Sequence, residues 1–383
     1  MGDEFLLPIY NPFPLQISHA KGIYMWDISG KKYIDTFSGI GVLAFGHSDD
    51  DVKDAMKNKI DNYAHLSNYF LDPDAVEVAK AIVERTGQTG KVYFGNSGAE
   101  ANEAALKAIK KRNGRIISFT GNFHGRTLGS LSLTGFEKLR NPFEPLVENV
   151  TFLPFGDVKS FEQVMKKDGS EISAVFLETL LGSGGLKTIT KEFADLLMAM
   201  KEKYGFALVA DEVQTGMGRT GRFYAYQHFE NLKPDIVTLA KSIGGGLPLS
   251  ATIFLEKNAD VFKTGDHGST FAPSPVALAA SKVILSKLTD KFIEEVEGKG
   301  NYFRDRLGSI RSDKIKEVRG MGLMIGVELY VNGADVLKAG LKNDLLLNVV
   351  GGNTVRFLPA LNVTFEEIDE IVDRFGKTLE RID

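Results

Sequence analysis

The chain has 383 residues, 43% apolar and 25% charged, ordinary for a globular protein and long enough for one large domain plus a smaller one. Its net charge of −4, with basic residues spread along the chain, argues against nucleic acid or an anionic membrane surface as partner. The absence of cysteine excludes disulfides, thiolate catalysis and thiolate metal sites.

No signal-peptide pattern opens the chain, and no stretch approaches the roughly 20 apolar residues that span a bilayer, so a cytoplasmic location is expected. In chain order, a hairpin-like piece, Ile23–Asp35, comes first; its Ser-Gly turn joins two short strands that cannot bury a core alone. Seven apolar, β-branched or aromatic runs follow: Lys91–Gly95, Arg115–Phe119, Asn149–Leu153, Ala174–Glu178, Phe206–Ala210, Asp235–Leu239 and Ser250–Phe254. Most are continuous rather than alternating, as in strands buried on both faces. Helical patterns at Glu100–Arg112, Phe161–Lys166 and Glu192–Tyr204 separate several of them. The expected fold is α/β, a mainly parallel seven-stranded sheet covered by helices on both faces.

Near residue 275 the pattern changes to long helices, Pro275–Leu288 and Phe292–Leu307, then strands at Leu323–Leu329 and Thr354–Phe357 and a closing helix around Phe365–Arg381. That is an α+β signature. The expected division is an N-terminal segment, 1–50, a large domain, 51–275, and a small C-terminal domain, 276–383.

In open α/β sheets ligands sit at the carboxyl ends of strands, and three polar groups fall at such ends. Asn96-Ser-Gly-Ala-Glu100 opens a helix and presents free N–H groups and a hydroxyl, an anion site that by itself is equally an ordinary helix cap. Asp211 closes an apolar strand, where an acid is costly without a cationic partner. Lys241 is followed by Ser242-Ile-Gly-Gly-Gly246, small residues that leave space beside its amine. Together they offer an acid for a pyridine nitrogen, an amine for an aldehyde and a turn for a phosphate, the needs of pyridoxal 5′-phosphate (PLP).

Asn96–Glu103, Phe123-His-Gly-Arg126, Asp211–Gly221 and Leu239–Gly246 closely resemble, in order, the motifs of the class III (ω-amino acid) aminotransferases. The resemblance extends from Gly22 to the end and implies PLP-dependent fold type I. Within the family, His65–Phe70 and Thr354–Leu361 look most like the acetylornithine-using members. The resemblance implies that Lys241 carries the cofactor through its aldehyde and that Asp211 partners the pyridine nitrogen. Ser97, Gly98 and Ala99 would hold the phosphate, with Thr270 reaching in from the second subunit of a homodimer, against which residues 1–50 would also pack. Phe123 and Val213 would close the two ring faces, and Gln214 would approach the ring hydroxyl. Arg356 would bind the α-carboxylate of glutamate and 2-oxoglutarate, and Arg126 a distal or acyl-ornithine carboxylate. His47, His65 and His124 have no metal-like spacing, and capping or packing accounts for them.

Two departures stand out. Family members carry Glu-Pro-x-Gln-Gly-Glu-Gly-Gly where this chain reads Glu178-Thr-Leu-Leu-Gly-Ser-Gly-Gly185, so Leu181 and Ser183 replace a Gln and a Glu. In the family that second Glu masks the arginine matching Arg356; without it Arg356 is expected to stay available to a carboxylate in both half-reactions. Ser269–Pro275 lacks the usual Gly-Gly-Asn, which stiffens the loop beside the phosphate while keeping Thr270. The expected reaction moves an ω-amino group from an acetylornithine-like donor to 2-oxoglutarate. Other ω-amino donors (4-aminobutyrate, ornithine, lysine) and a PLP aminomutase or racemase remain alternatives. A nucleotide-binding oxidoreductase is disfavoured because no Gly-x-Gly-x-x-Gly follows a strand.

Overall fold

The computed structural model describes residues 5–382. Strands β1 (Ile17–Lys21), β2 (Tyr24–Asp27) and β3 (Lys32–Asp35) form an antiparallel meander. It gains its apolar cover from the far end of the chain. β3 pairs in parallel with Leu345–Leu346, Tyr24 Oη donates to Glu370, and Ile23, Tyr33 and Ile34 are buried.

The central sheet contains β4 (Gly90–Gly95), β5 (Arg115–Phe119), β6 (Val150–Leu153), β7 (Ile172–Leu177), β8 (Ala207–Asp211), β9 (Ile236–Leu239) and β10 (Ser250–Leu255). Their spatial order is β4-β10-β9-β8-β7-β5-β6. β10 runs antiparallel to both neighbours, and β9, β8, β7, β5 and β6 pair in parallel. All residues of β7, β8, β9 and β10 are buried, which is why their sequences are continuously apolar. Because only β10 is reversed, the carboxyl ends of the other six strands and the start of β10 share one edge.

A second, antiparallel sheet combines Ile315–Met321, Met324–Leu329, Val349–Val350 and Thr354–Phe357. Helices Asp290–Gly308 and Phe365–Glu380 pack beside it. Helix Pro275–Lys287 packs instead on Asp50–Asn62 and Pro73–Glu84, two helices the sequence patterns did not single out. Among the described residues, no helix is long and apolar enough to cross a membrane, and no His/Asp/Glu group is arranged to hold a metal ion.

Candidate active site

Register explains the site. Ser250 lies opposite Gly95 and Asp211 opposite Thr238, so the turns after β4, β9, β8 and β7 stand side by side along the sheet edge. They border a cavity of about 450 Å³ whose walls include Ser97, Gly98, Ala99, Phe123, Arg126, Asp211, Val213, Gln214 and Lys241.

Ser97 caps the helix Gly98–Ile109, its hydroxyl accepting the Glu100 N–H at 3.2 Å. The first-turn N–H groups of Gly98 and Ala99 have no carbonyl four residues back within the helix, leaving a positive end facing the cavity. A Cβ on residue 98 would sit 2.7 Å from Val213 Cγ1, so only glycine lets this turn come so close to the β8 loop. In the same helix, Asn102 donates to Asp211 Oδ2 at 2.7 Å and accepts from Thr238 Oγ1 at 3.2 Å, tying helix to sheet.

Asp211 is buried at the end of β8. His124 Nδ1 lies 2.7 Å from its Oδ2, and the Val213 N–H donates to Oδ1 at 3.0 Å. Burial alone would raise its pKa, but the His124 contact, the backbone N–H and Asn102 outweigh that and hold the carboxyl below its usual range. His124 is therefore more than a packing residue. Its other ring nitrogen, Nε2, is 3.1 Å from the Asn122 amide, so with that amide donating, the ring proton lies on Nδ1 toward Asp211.

Lys241 follows β9 in a left-handed conformation, φ +51°, a strained backbone for a residue with a Cβ. Burial lowers its pKa to about 8, opposed by Asp211 and Glu178 and assisted by Arg356. Glu178, at the end of β7, was not singled out for the site. Its oxygens accept the N–H groups of Phe123 at 2.7 Å and Gly182 at 3.0 Å, fixing two loops of the cavity. Burial pushes its pKa up to about 7.

The two arginines differ. Arg126 is exposed at the cavity wall with its guanidinium 5.5 Å from the centre of the Phe123 ring. Arg356, in the strand Thr354–Phe357, is only 3% exposed and lies behind Gly182 and Gln214. Its Nε and Nη2 donate to Asn348 Oδ1 at 3.0 and 2.7 Å, and its Nη1 to Gly182 O at 2.7 Å and Gln214 Oε1 at 3.1 Å. Neither arginine has an ion pair among the described residues. Thr270 is exposed and borders a different, larger surface hollow with His65, Asn68 and Tyr69.

This set suits a pyridoxal phosphate: a helix end with a hydroxyl and unclaimed N–H groups for the phosphate, a buried ionised acid, and an amine of lowered basicity in one cavity.

Residues 8–379 match the family described as aminotransferase class III. The chain is 38% identical to the acetylornithine aminotransferase of Aquifex aeolicus over 375 residues, covering 96% of this chain and 98% of that one. It is 37% identical to the enzyme of the same name from Archaeoglobus fulgidus, covering 97% of each. Among solved structures, the ornithine aminotransferase of Toxoplasma gondii superposes with a TM-score of 0.92 at 30% identity, covering 98% of this chain and 93% of that one. The N-acetylornithine aminotransferase of Stenotrophomonas maltophilia gives 0.83 at 30% identity, covering 97% of each. With its family motifs brought to one sheet edge, this chain belongs to the PLP-dependent class III aminotransferases.

Proposed function

We propose that the protein transfers the terminal amino group of acetylornithine, or a close acyl-ornithine, to 2-oxoglutarate, giving a semialdehyde and glutamate. The observation that carries this reading is one cavity bearing Lys241 and Asp211, with two arginines near it that have no ion pair among the described residues. The names of the relatives support the donor.

Bound PLP supplies an electron sink for the carbon that loses a proton. In this reading Asp211, kept ionised by His124 and Asn102, would hold a proton on the pyridine nitrogen. Lys241 would be the anchoring amine and the base that takes and returns the substrate proton. Ser97, Gly98 and Ala99 would hold the phosphate, Phe123 and Val213 would close the ring faces, and Gln214 would approach the ring hydroxyl. Arg126 takes the donor's carboxylate, and Arg356 that of 2-oxoglutarate or glutamate.

A homodimer is part of the proposal, with Thr270 completing the partner's phosphate site. The strongly exposed Tyr69, Phe70, Leu71 and Phe271 beside the Thr270 hollow support it. We further propose a cytoplasmic location and a division into residues 1–50, 51–275 and 276–383, with the helix Pro275–Lys287 packing back across the last boundary onto Asp50–Asn62 and Pro73–Glu84. The activity test is a donor screen against 2-oxoglutarate with acetylornithine, succinylornithine, ornithine, lysine and 4-aminobutyrate, following glutamate. Acetylornithine or succinylornithine should lead; glutamate formed only from 4-aminobutyrate or lysine would overturn the donor.

A further inference from the structure

We infer that Asn348 is a specificity-determining residue: through an uncharged oxygen it orients Arg356 without neutralising it, reserving the cation for a substrate carboxylate. The inference rests on the proposed use of 2-oxoglutarate and deepens it.

A guanidinium has five N–H donors. Asn348 Oδ1 engages one on Nε and one on Nη2, while Gly182 O and Gln214 Oε1 engage those on Nη1. One N–H, on Nη2, is left without a partner among the described residues. All three partners are neutral, although the side chain is nearly fully buried. Burying an unneutralised cation is costly, and an acidic partner would be the ordinary remedy. Glu178 is the carboxylate whose field reaches Arg356, yet its own oxygens are occupied by the N–H groups of Phe123 and Gly182. Ser183, next to Gly182 on the cavity wall, supplies no charge.

The hold of Asn348 is double, since its main-chain oxygen also accepts the Arg356 N–H at 2.8 Å. It therefore fixes the Nε/Nη2 edge. The Gln214 contact at 3.1 Å is the longest of the four and comes from a side chain lining the cavity. A carboxylate displacing Gln214 would gain an Nη1–H together with the spare Nη2–H, a two-pronged grip. When the reacting carbon of the donor carries no carboxylate, Gln214 stays and leaves no donor on Nη1 unmatched. A neutral cap thus serves both half-reactions.

The test titrates glutarate, an unreactive dicarboxylate, into the PLP-loaded enzyme by calorimetry, for wild type, Asn348→Asp and Ser183→Glu. Either substitution places a carboxylate near Arg356 and should weaken glutarate binding by about tenfold or more. The KM for 2-oxoglutarate should rise in parallel, while the KM for the amine donor stays near wild type. Glutarate affinity unchanged in both variants overturns the inference, as does an equal loss toward donor and acceptor, the mark of a merely structural role. Should Asn348→Asp fail to fold, by circular dichroism, Asn348→Ala, which removes the oxygen that holds the Nε/Nη2 edge without adding charge, decides in its place: unchanged glutarate affinity overturns the inference. Wild-type enzyme that binds glutarate but forms no glutamate from any donor would instead sink the proposed function.

Discussion

At the scale of single residues, the chemistry rests on how burial sets protonation. An amine attacks an aldehyde only when neutral, and burial brings the pKa of Lys241 to about 8. The rate at which apoenzyme takes up PLP, followed by absorbance, should therefore rise with pH through about 8 and then level off. Borohydride reduction of the loaded enzyme should place the label on Lys241, and Lys241→Ala should lose about 10²-fold to 10⁴-fold or more in turnover. Asp211 depends on its neighbours: without His124, desolvation would act on the carboxyl less opposed and raise its pKa. His124→Ala should weaken PLP retention and shift the pH dependence of the cofactor spectrum, while circular dichroism stays native-like. Glu212, beside Asp211, is a different case. It accepts from the Thr215 hydroxyl and from the N–H groups of Ala225 and Tyr226, yet burial raises its pKa to about 7. A carboxyl raised on folding binds more protons folded than unfolded, so its contribution is full below the ordinary carboxylate range and is lost as pH rises through about 7. Unfolding temperatures should accordingly move in favour of Glu212→Gln relative to wild type between pH 5 and 8.

At the scale of elements, strand ends and helix starts do the positioning. The helix Gly98–Ile109 can approach the β8 loop because residue 98 lacks a Cβ. Gly98→Ala should lower PLP affinity, measured by cofactor dissociation, and adding Val213→Ala should restore part of it by removing the methyl groups that the new Cβ meets. A loop effect that ignores the second substitution would count against this contact. The closing helix Phe365–Glu380 starts with a capping box between Thr364 and Glu367. Thr364→Ala should cost about 1 kcal/mol in chemical denaturation, with no change in KM because the cap lies outside the cavity.

At the scale of the whole molecule, one chain leaves apolar side chains uncovered around a hollow that contains Thr270. Tyr69 is 95% exposed and Phe271 70%, values that favour burial against a second copy. On the proposed homodimer, Tyr69→Asp combined with Phe70→Asp should leave a monomer in sedimentation and reduce activity with it, since the phosphate site would then lack the Thr270 proposed to reach it from a second copy. A double variant that stays dimeric, or a monomer with full activity, would refute that arrangement.

What the amino-acid sequence determined by itself was the local and the repeated. The seven strands of the central sheet announced themselves because strands covered on both faces, as β7 to β10 are, read as apolar runs, and Lys241 and Asp211 could be named as candidates because an amine and an acid stand at the ends of such runs. The half-exposed strand Ile315–Met321 and the helix Asp50–Asn62, with one buried residue, carried too little apolar contrast to stand out. Tertiary structure alone decided the pairings. His124 meets Asp211 across 87 positions, and Gly182 and Gln214 cover Arg356 across 174 and 142. An isolated histidine or asparagine has no periodicity to betray it; its role exists only once the sheet edge has brought distant loops within hydrogen-bonding distance.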